Sequence, residues 1–224
     1  PPAFKVPSTG SGVAINTGGV FLTNHHVIDG CKNVAIEYNG KMGVGRVIRF
    51  DEGLDVALVR VKALTPTYAP FDPSPAQAGE TLVAIGYPLT SLLGKSPTVS
   101  EGKLTNAGDE ASEINAGGFL LTSIPIAAGN SGGPVYTRKG GLRGIVSYYV
   151  DRETLKKIYE RYGQELPNIS LNTSFNFIVS GPRIIDWLEY TKTKFSLTKS
   201  VKLLDPEIVS QKGIESLARI VCYE

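Results

Sequence analysis

The chain has 224 residues, 23 basic against 21 acidic, a formal net charge of +2 and 42% hydrophobic content. That apolar share is enough for a packed core, while the near-balance of charge gives no sign of a nucleic-acid partner, which would need a clustered basic face. No apolar run approaches the ~18 residues of a membrane span, and the opening Pro1-Pro2-Ala3-Phe4 has no signal-peptide pattern, as in a mature or trimmed chain.

In chain order, the first sixty residues read as short strands rich in Val, Ile and Leu: Ser11 to Asn16, Gly19 to Asn24, Asn33 to Tyr38, Gly43 to Arg49 and Asp55 to Lys62. Turn signals separate them, among them Asn39-Gly40, a strong hairpin dipeptide. Thr65 to Glu80 holds Pro66, Pro70, Pro73 and Pro75, which suit neither a central strand nor a helix, so this stretch reads as a linker. Strands resume at Thr81 to Gly86, Pro97 to Thr105, Gly118 to Ile124, Gly133 to Tyr136, Gly141 to Tyr149 and Ser174 to Val179.

Helical signals are confined to three places. Arg152 to Tyr162 puts Leu155, Ile158, Tyr159 and Tyr162 on one face, with Asp151 as cap and Gly163 as stop. Pro182 to Tyr190 begins with proline at N1. Asp205-Pro206 opens a weaker helix towards Val221, interrupted by Gly213. The expected fold is all-β, two six-stranded antiparallel β-barrels with an inserted helix and C-terminal helices. The expected division is 1–64 as first barrel, 65–80 as linker, 81–181 as second barrel and 182–224 as a helical tail packed on the barrels.

Cys31 and Cys222 are the only cysteines. They are expected to be two separate buried thiols; the alternative is one disulfide tying the C-terminal tail to the first barrel, which needs an oxidising compartment. With both histidines adjacent at 25 and 26, no residue set has zinc-ligand spacing, and no metal or cofactor is expected. Two sequons, Asn168-Ile169-Ser170 and Asn172-Thr173-Ser174, read as chance occurrences.

Three stretches carry chemistry. In Gly129-Asn130-Ser131-Gly132-Gly133-Pro134, small neighbours let a substrate backbone approach the Ser131 hydroxyl and let the Gly129 and Ser131 amides point at one spot, where they would hold an oxyanion. In Thr23-Asn24-His25-His26-Val27, a histidine can serve as the base that a hydroxyl nucleophile needs. In Asp51-Glu52-Gly53-Leu54-Asp55-Val56, a carboxylate before an apolar strand could hold the imidazole tautomer. Singly, each has a plainer reading: a loop, a pair of satisfied histidines, a turn cap. Together they run His, Asp, Ser, the order of the chymotrypsin fold, and the prolines between put His and Asp on one barrel and Ser on the other.

These stretches, with Gly10-Ser11-Gly12-Val13, Asp55-Val56-Ala57-Leu58-Val59 and Ile85-Gly86-Tyr87-Pro88, resemble the trypsin-like peptidases of the HtrA (Deg) type, without a PDZ domain in the ~45 residues after Val179. The resemblance implies a serine endopeptidase with His26 as base, Asp55 as its orienting acid and Ser131 as nucleophile, oxyanion donors at Gly129 and Ser131, polypeptide substrates, and a secreted or periplasmic location. The family's Thr-Asn-x-His-Val motif leaves His25 at its variable place, and its Asp-x-Ala-Leu motif maps to Asp55 rather than Asp51. Asn130 stands where digestive relatives have the Asp that pairs with a newly cut N-terminus, so activation by that ion pair is not expected. Pro125 stands where trypsin-type enzymes carry an acid, and pocket segments Thr122 to Asn130 and Ile145 to Tyr149 carry no charge. Small to medium apolar P1 residues are therefore expected, with Pro125, Ser147, Tyr148 and Tyr149 around the substrate and Tyr149 narrowing the entrance. The helix from Arg152 is expected beside the cleft, as a fixed surface helix or as a lid. The rival readings are a catalytically silent peptide-binding module on a peptidase scaffold and a narrow processing peptidase or esterase. The sequence leaves the oligomeric state open.

Overall fold

The computed structural model describes residues 8–88, 94, 96–106, 118–150 and 175–223. The expected helix at 152–162 and both sequons lie outside the described residues, as does the side chain of Tyr149.

The first elements are strands β1 (Ser8–Asn16), β2 (Val20–Thr23), β3 (Asn33–Tyr38), β4 (Lys41–Asp51) and β5 (Val56–Arg60), with a four-residue helix α1 (His25–Ile28) between β2 and β3. After the linker come β6 (Thr81–Gly86), β7 (Thr98–Asn106), β8 (Phe119–Thr122), β9 (Pro134–Thr137), β10 (Leu142–Val150) and β11 (Phe175–Ser180). Helices α2 (Gly181–Tyr190) and α3 (Pro206–Ile214) precede a last strand, β12 (Leu217–Tyr223). The strands close two barrels, in the orders β1-β12-β3-β4-β5-β2 and β10-β11-β8-β7-β6-β9, and every pairing within them is antiparallel. This is the double-barrel architecture expected from the strand pattern.

The C-terminal segment departs from expectation. Residues 182–224 are not a purely helical tail: the helix from Pro206 stops at Ile214, and Leu217–Tyr223 is the sixth strand of the first barrel. The first sixty-four residues therefore do not close a barrel by themselves. A short apolar run such as Leu217-Ala218-Arg219-Ile220-Val221 fits helix or strand equally by pattern. The gap between β1 and β3 decides it, because it offers hydrogen-bonding partners on both edges: Ile220 lies opposite Gly10 on one side and Ile36 on the other. Cys31 and Cys222 are not separate thiols but one disulfide, which anchors this strand to the loop after α1.

Strand periodicity explains how the barrels meet. Side chains alternate across a strand, yet β1, β2 and β5 are apolar on both faces. Ala14, Phe21, Ala57 and Val59 point into the first barrel with Ile36 and Ile220. Val13, Leu22 and Leu58 point the other way and join Val83, Ile85, Tyr136 and Leu142 of the second barrel in one cluster. Leu82, Ala84, Val135, Val146 and Ile178 fill the second barrel. β4 has exposed or half-buried residues throughout, and its Ile48 packs against the edge of the inter-barrel cluster. Each fully buried Leu, Ile or Val adds roughly 1.5–3 kcal/mol, so the second apolar faces of β1, β2 and β5 hold the barrels together. No helix of the described residues is long and apolar enough to cross a membrane.

Candidate active site

β2 and β5 are hydrogen-bonded neighbours, with Thr23 opposite Ala57. The residues just beyond this pair, Asn24 to His26 on one side and Asp55 on the other, are therefore brought together at one barrel end. Asp55 sits in the left-handed region at φ +56°, a conformation that Asp tolerates better than most residues. It is held there by its N–H donating to the Glu52 carbonyl (3.2 Å) and by the Asn24 amide donating to its own carbonyl (2.9 Å). The carboxylate faces His26: Nδ1 lies 3.0 and 2.9 Å from its two oxygens, and the His26 backbone N–H donates to Oδ1 at 3.1 Å. A third donor is the Ser147 hydroxyl, 2.9 Å from Oδ2. Burial pushes the Asp55 carboxyl up, but the bonds from His26, the imidazolium charge and the Ser147 bond outweigh it and hold the group below its ordinary value.

The neighbours that could have taken these roles are occupied elsewhere. The ring of His25 stacks on Phe50 with centroids 4.8 Å apart. Asp51 caps its own turn, its Oδ1 accepting from the Leu54 N–H at 3.0 Å.

Ser131 comes from the second barrel. Its loop turns through Gly129 (φ +94°) and Gly132 (φ +81°), both conformations that side chains disfavour. At Gly132 a Cβ would also lie 2.2 Å from the Ser11 carbonyl oxygen and 2.4 Å from the Thr23 hydroxyl, so this glycine permits the close approach of the two barrels. Ser11, fully buried on β1, clamps the loop. Its N–H donates to the Ser131 carbonyl (2.8 Å), its hydroxyl donates to the Gly129 carbonyl (2.8 Å), and the same hydroxyl accepts from the Tyr87 N–H (2.9 Å). Among the described residues, the N–H groups of Gly129 and Ser131 have no protein acceptor. Asn130 is buried and its Oδ1 lacks a partner among the described residues.

Ser131 Oγ donates to the Ser147 carbonyl at 2.9 Å, not to His26. Ser147 thus touches both Ser131 and Asp55, a connection that the sequence reading, which placed it only against substrate, missed. Ser11 was likewise legible only as part of a motif; its glycine neighbours were the one available signal. His26, Ser131, Ser147 and Tyr148 line a cleft of about 340 Å³ together with Ser8, Thr9, Val27 and the stretch Ile126 to Gly129. No carboxylate, lysine or arginine is among these residues. Tyr148 packs against Phe119 and Phe177, with centroids 5.4 and 5.0 Å away. Pro125 is exposed and outside the cleft lining. Among the described residues no cluster of His, Cys, Asp or Glu could hold a metal ion.

A family profile described as "Trypsin-like peptidase domain" matches residues 10–145. The chain belongs to the trypsin-like peptidase family. It is 32% identical over 154 residues to the magnetosome formation protease MamE of Paramagnetospirillum magneticum, covering 65% of this chain and 20% of that protein. It is 33% identical over 147 residues to a Marinomonas protein named "Probable periplasmic serine endoprotease DegP-like", covering 65% and 30%. A crystal structure of the serine endoprotease from Yersinia pestis superimposes with a TM-score of 0.63 at 25% identity, over 84% of this chain and 59% of that one. The match to these relatives is thus confined to about a fifth to a third of their length.

Proposed function

We propose that this member of the trypsin-like peptidase family is a serine endopeptidase working through an acyl-enzyme. The observation that carries the reading is the coupling of the His26 ring to a half-buried, triply hydrogen-bonded Asp55, with His26 and Ser131 lining one cleft. In the neutral ring, Asp55 accepting from Nδ1–H leaves Nε2 of His26 free of a proton, the tautomer a base requires. Rotation of Ser131 about χ1 exchanges the Ser147 carbonyl for Nε2. Oγ then attacks the scissile carbonyl as its proton passes to Nε2, and His26 gives that proton to the leaving amine. Water enters by the same route and releases the acyl group. The developing oxyanion takes the two unengaged amides of Gly129 and Ser131, donors that need no reorganisation.

A cleft lined by Ile126, Ala127, Ala128 and Tyr148 would leave a charged P1 side chain unpaired, which supports a preference for small to medium apolar P1 residues. The Cys31–Cys222 disulfide supports residence in an oxidising compartment. The seating of Ser131 Oγ on Ser147 favours a second reading, a silent peptide-binding module in which the serine stays turned away. A fluorophosphonate probe separates the two. The peptidase labels at Ser131 and the Ser131→Ala variant does not, with turnover of a peptide substrate falling by about 10⁶. An unlabelled, folded wild-type chain would mean the silent module.

A further inference from the structure

The β1–β2 turn, β4, the end of β5 and residues 191–194 after α2 enclose a second cleft of about 570 Å³. Its ionisable lining is Arg49, Arg60, Lys192 and Lys194, with no carboxylate among the lining residues. Four cations with no acid among them thus share one cleft in a chain whose overall charge is nearly balanced, at +2. Protein surfaces ordinarily intersperse the two signs. None of the four forms an ion pair with a described residue. In the β4–β5 register Arg46 lies directly opposite Arg60, which sets two like charges side by side on one face, an unfavourable placement with no compensating acid.

The walls are built rather than loose. The Asn16 amide donates to the Lys194 carbonyl at 2.9 Å and its oxygen accepts from the Gly18 N–H at 2.9 Å, tying the turn to the segment after α2. Lys192 is held at φ +53°, with its N–H on the Glu189 carbonyl at 3.0 Å. Uncompensated cations on a fixed concave wall are the arrangement that phosphate and sulfate groups take: guanidinium forks bind them bidentately and ammonium groups add point charges. The volume is that of a small-molecule site, and a nucleic-acid strand would need a basic track extending beyond it.

We propose that this cleft binds a small soluble anion bearing two or more phosphate or sulfate groups. The site is separate from the catalytic cleft. Arg60 ends β5 and Asp55 precedes its start, a separation of roughly 17 Å at ~3.3 Å per residue, so such a ligand would not compete with a peptide.

The test is calorimetric titration of the full chain with tripolyphosphate near 150 mM salt. Saturable one-to-one binding is expected, weakened at least tenfold in Arg49→Ala/Arg60→Ala and in Lys192→Ala/Lys194→Ala. It should be retained in Lys41→Ala/Lys103→Ala, which removes the same charge from exposed positions elsewhere. Thermal melts check that each variant folds. A second arm uses phosphatidylcholine vesicles containing phosphatidylinositol bisphosphate, and a third a single-stranded oligonucleotide. Absence of saturable tripolyphosphate binding overturns the proposal. So does an equal loss in the control pair, or cleft-dependent capture of vesicles or oligonucleotide that tripolyphosphate does not displace.

Discussion

Asp55 and its neighbour four residues back illustrate how little local sequence separates a candidate catalytic acid from a turn cap. Asp51 ends β4 and Asp55 precedes β5, and both accept backbone N–H groups, but only Asp55 faces the His26 ring. Asp55→Asn should therefore cost about 10⁴ in turnover by presenting the wrong imidazole tautomer, while Asp51→Asn leaves kcat/KM nearly unchanged. Steady-state kinetics on a peptide substrate compare the two, and the reverse ranking would move the acid to Asp51. The same assay on His26→Ala and His25→Ala should show loss only in the first, since His25 is engaged with Phe50. Gly132→Ala should lower both stability and activity. The new methyl meets the Ser11 carbonyl and the Thr23 hydroxyl in a left-handed backbone, and urea melts with parallel kinetics will read both effects.

Among the elements, β12 matters most for integrity. It fills the gap between β1 and β3, carries the Arg219–Glu37 ion pair across to β3, and is fastened by Cys222 to Cys31, five residues after His26. Cys31→Ala/Cys222→Ala is expected to lower the unfolding free energy by about 2–5 kcal/mol, with reduction of the wild type producing a comparable fall in Tm and no effect on the double variant. In the second barrel the linker is locked by a buried polar network. Arg143, with no exposed side-chain surface, donates to both Glu80 oxygens at 3.0 Å and to the Ser74 carbonyl, and lies 3.7 Å from Asp72. Asp72 in turn accepts from Ser74 and Thr137. Arg143→Met leaves the buried Asp72 and half-buried Glu80 carboxylates without a counter-charge and should cost roughly 3–5 kcal/mol, measurable by urea denaturation at neutral pH.

The whole molecule should be acid-sensitive in a defined direction. Burial pushes the Asp72 carboxyl up, but its bonds from Ser74 and Thr137 and the Arg143 charge bring it below the ordinary 3.8, as His26 and Ser147 do for Asp55. A carboxyl with a depressed folded-state pKa contributes stability that is fully present above its unfolded value and is lost as pH falls through the folded one. Unfolding free energy should therefore decline as pH drops below about 3.8. Asp72→Asn, already less stable at neutral pH, should show a shallower decline. An equally steep decline in that variant would remove Asp72 as a contributor.

Much of this molecule follows from residue order alone. Alternating apolar runs broken by glycine and Asn-Gly turns specify short antiparallel strands, and four prolines between Pro66 and Pro75 mark the passage from one barrel to the next. The Asn24–His26, Asp55 and Gly129–Gly133 stretches name candidate site residues because their chemistry is local to the motif. What the chain order does not contain is partnership at a distance. Leu217–Tyr223 is a strand only because two barrel edges, formed some two hundred residues earlier, leave their hydrogen-bonding groups open to it. Cys31 meets Cys222 because that pairing brings their Cα atoms to 5.3 Å. Ser147, which accepts from Ser131 within the second barrel, reaches Asp55 because the apolar outer faces of β1, β2 and β5 dock the first barrel against the second. Local propensity sets the strands; burial of their second faces and closure of open edges decide which of them meet.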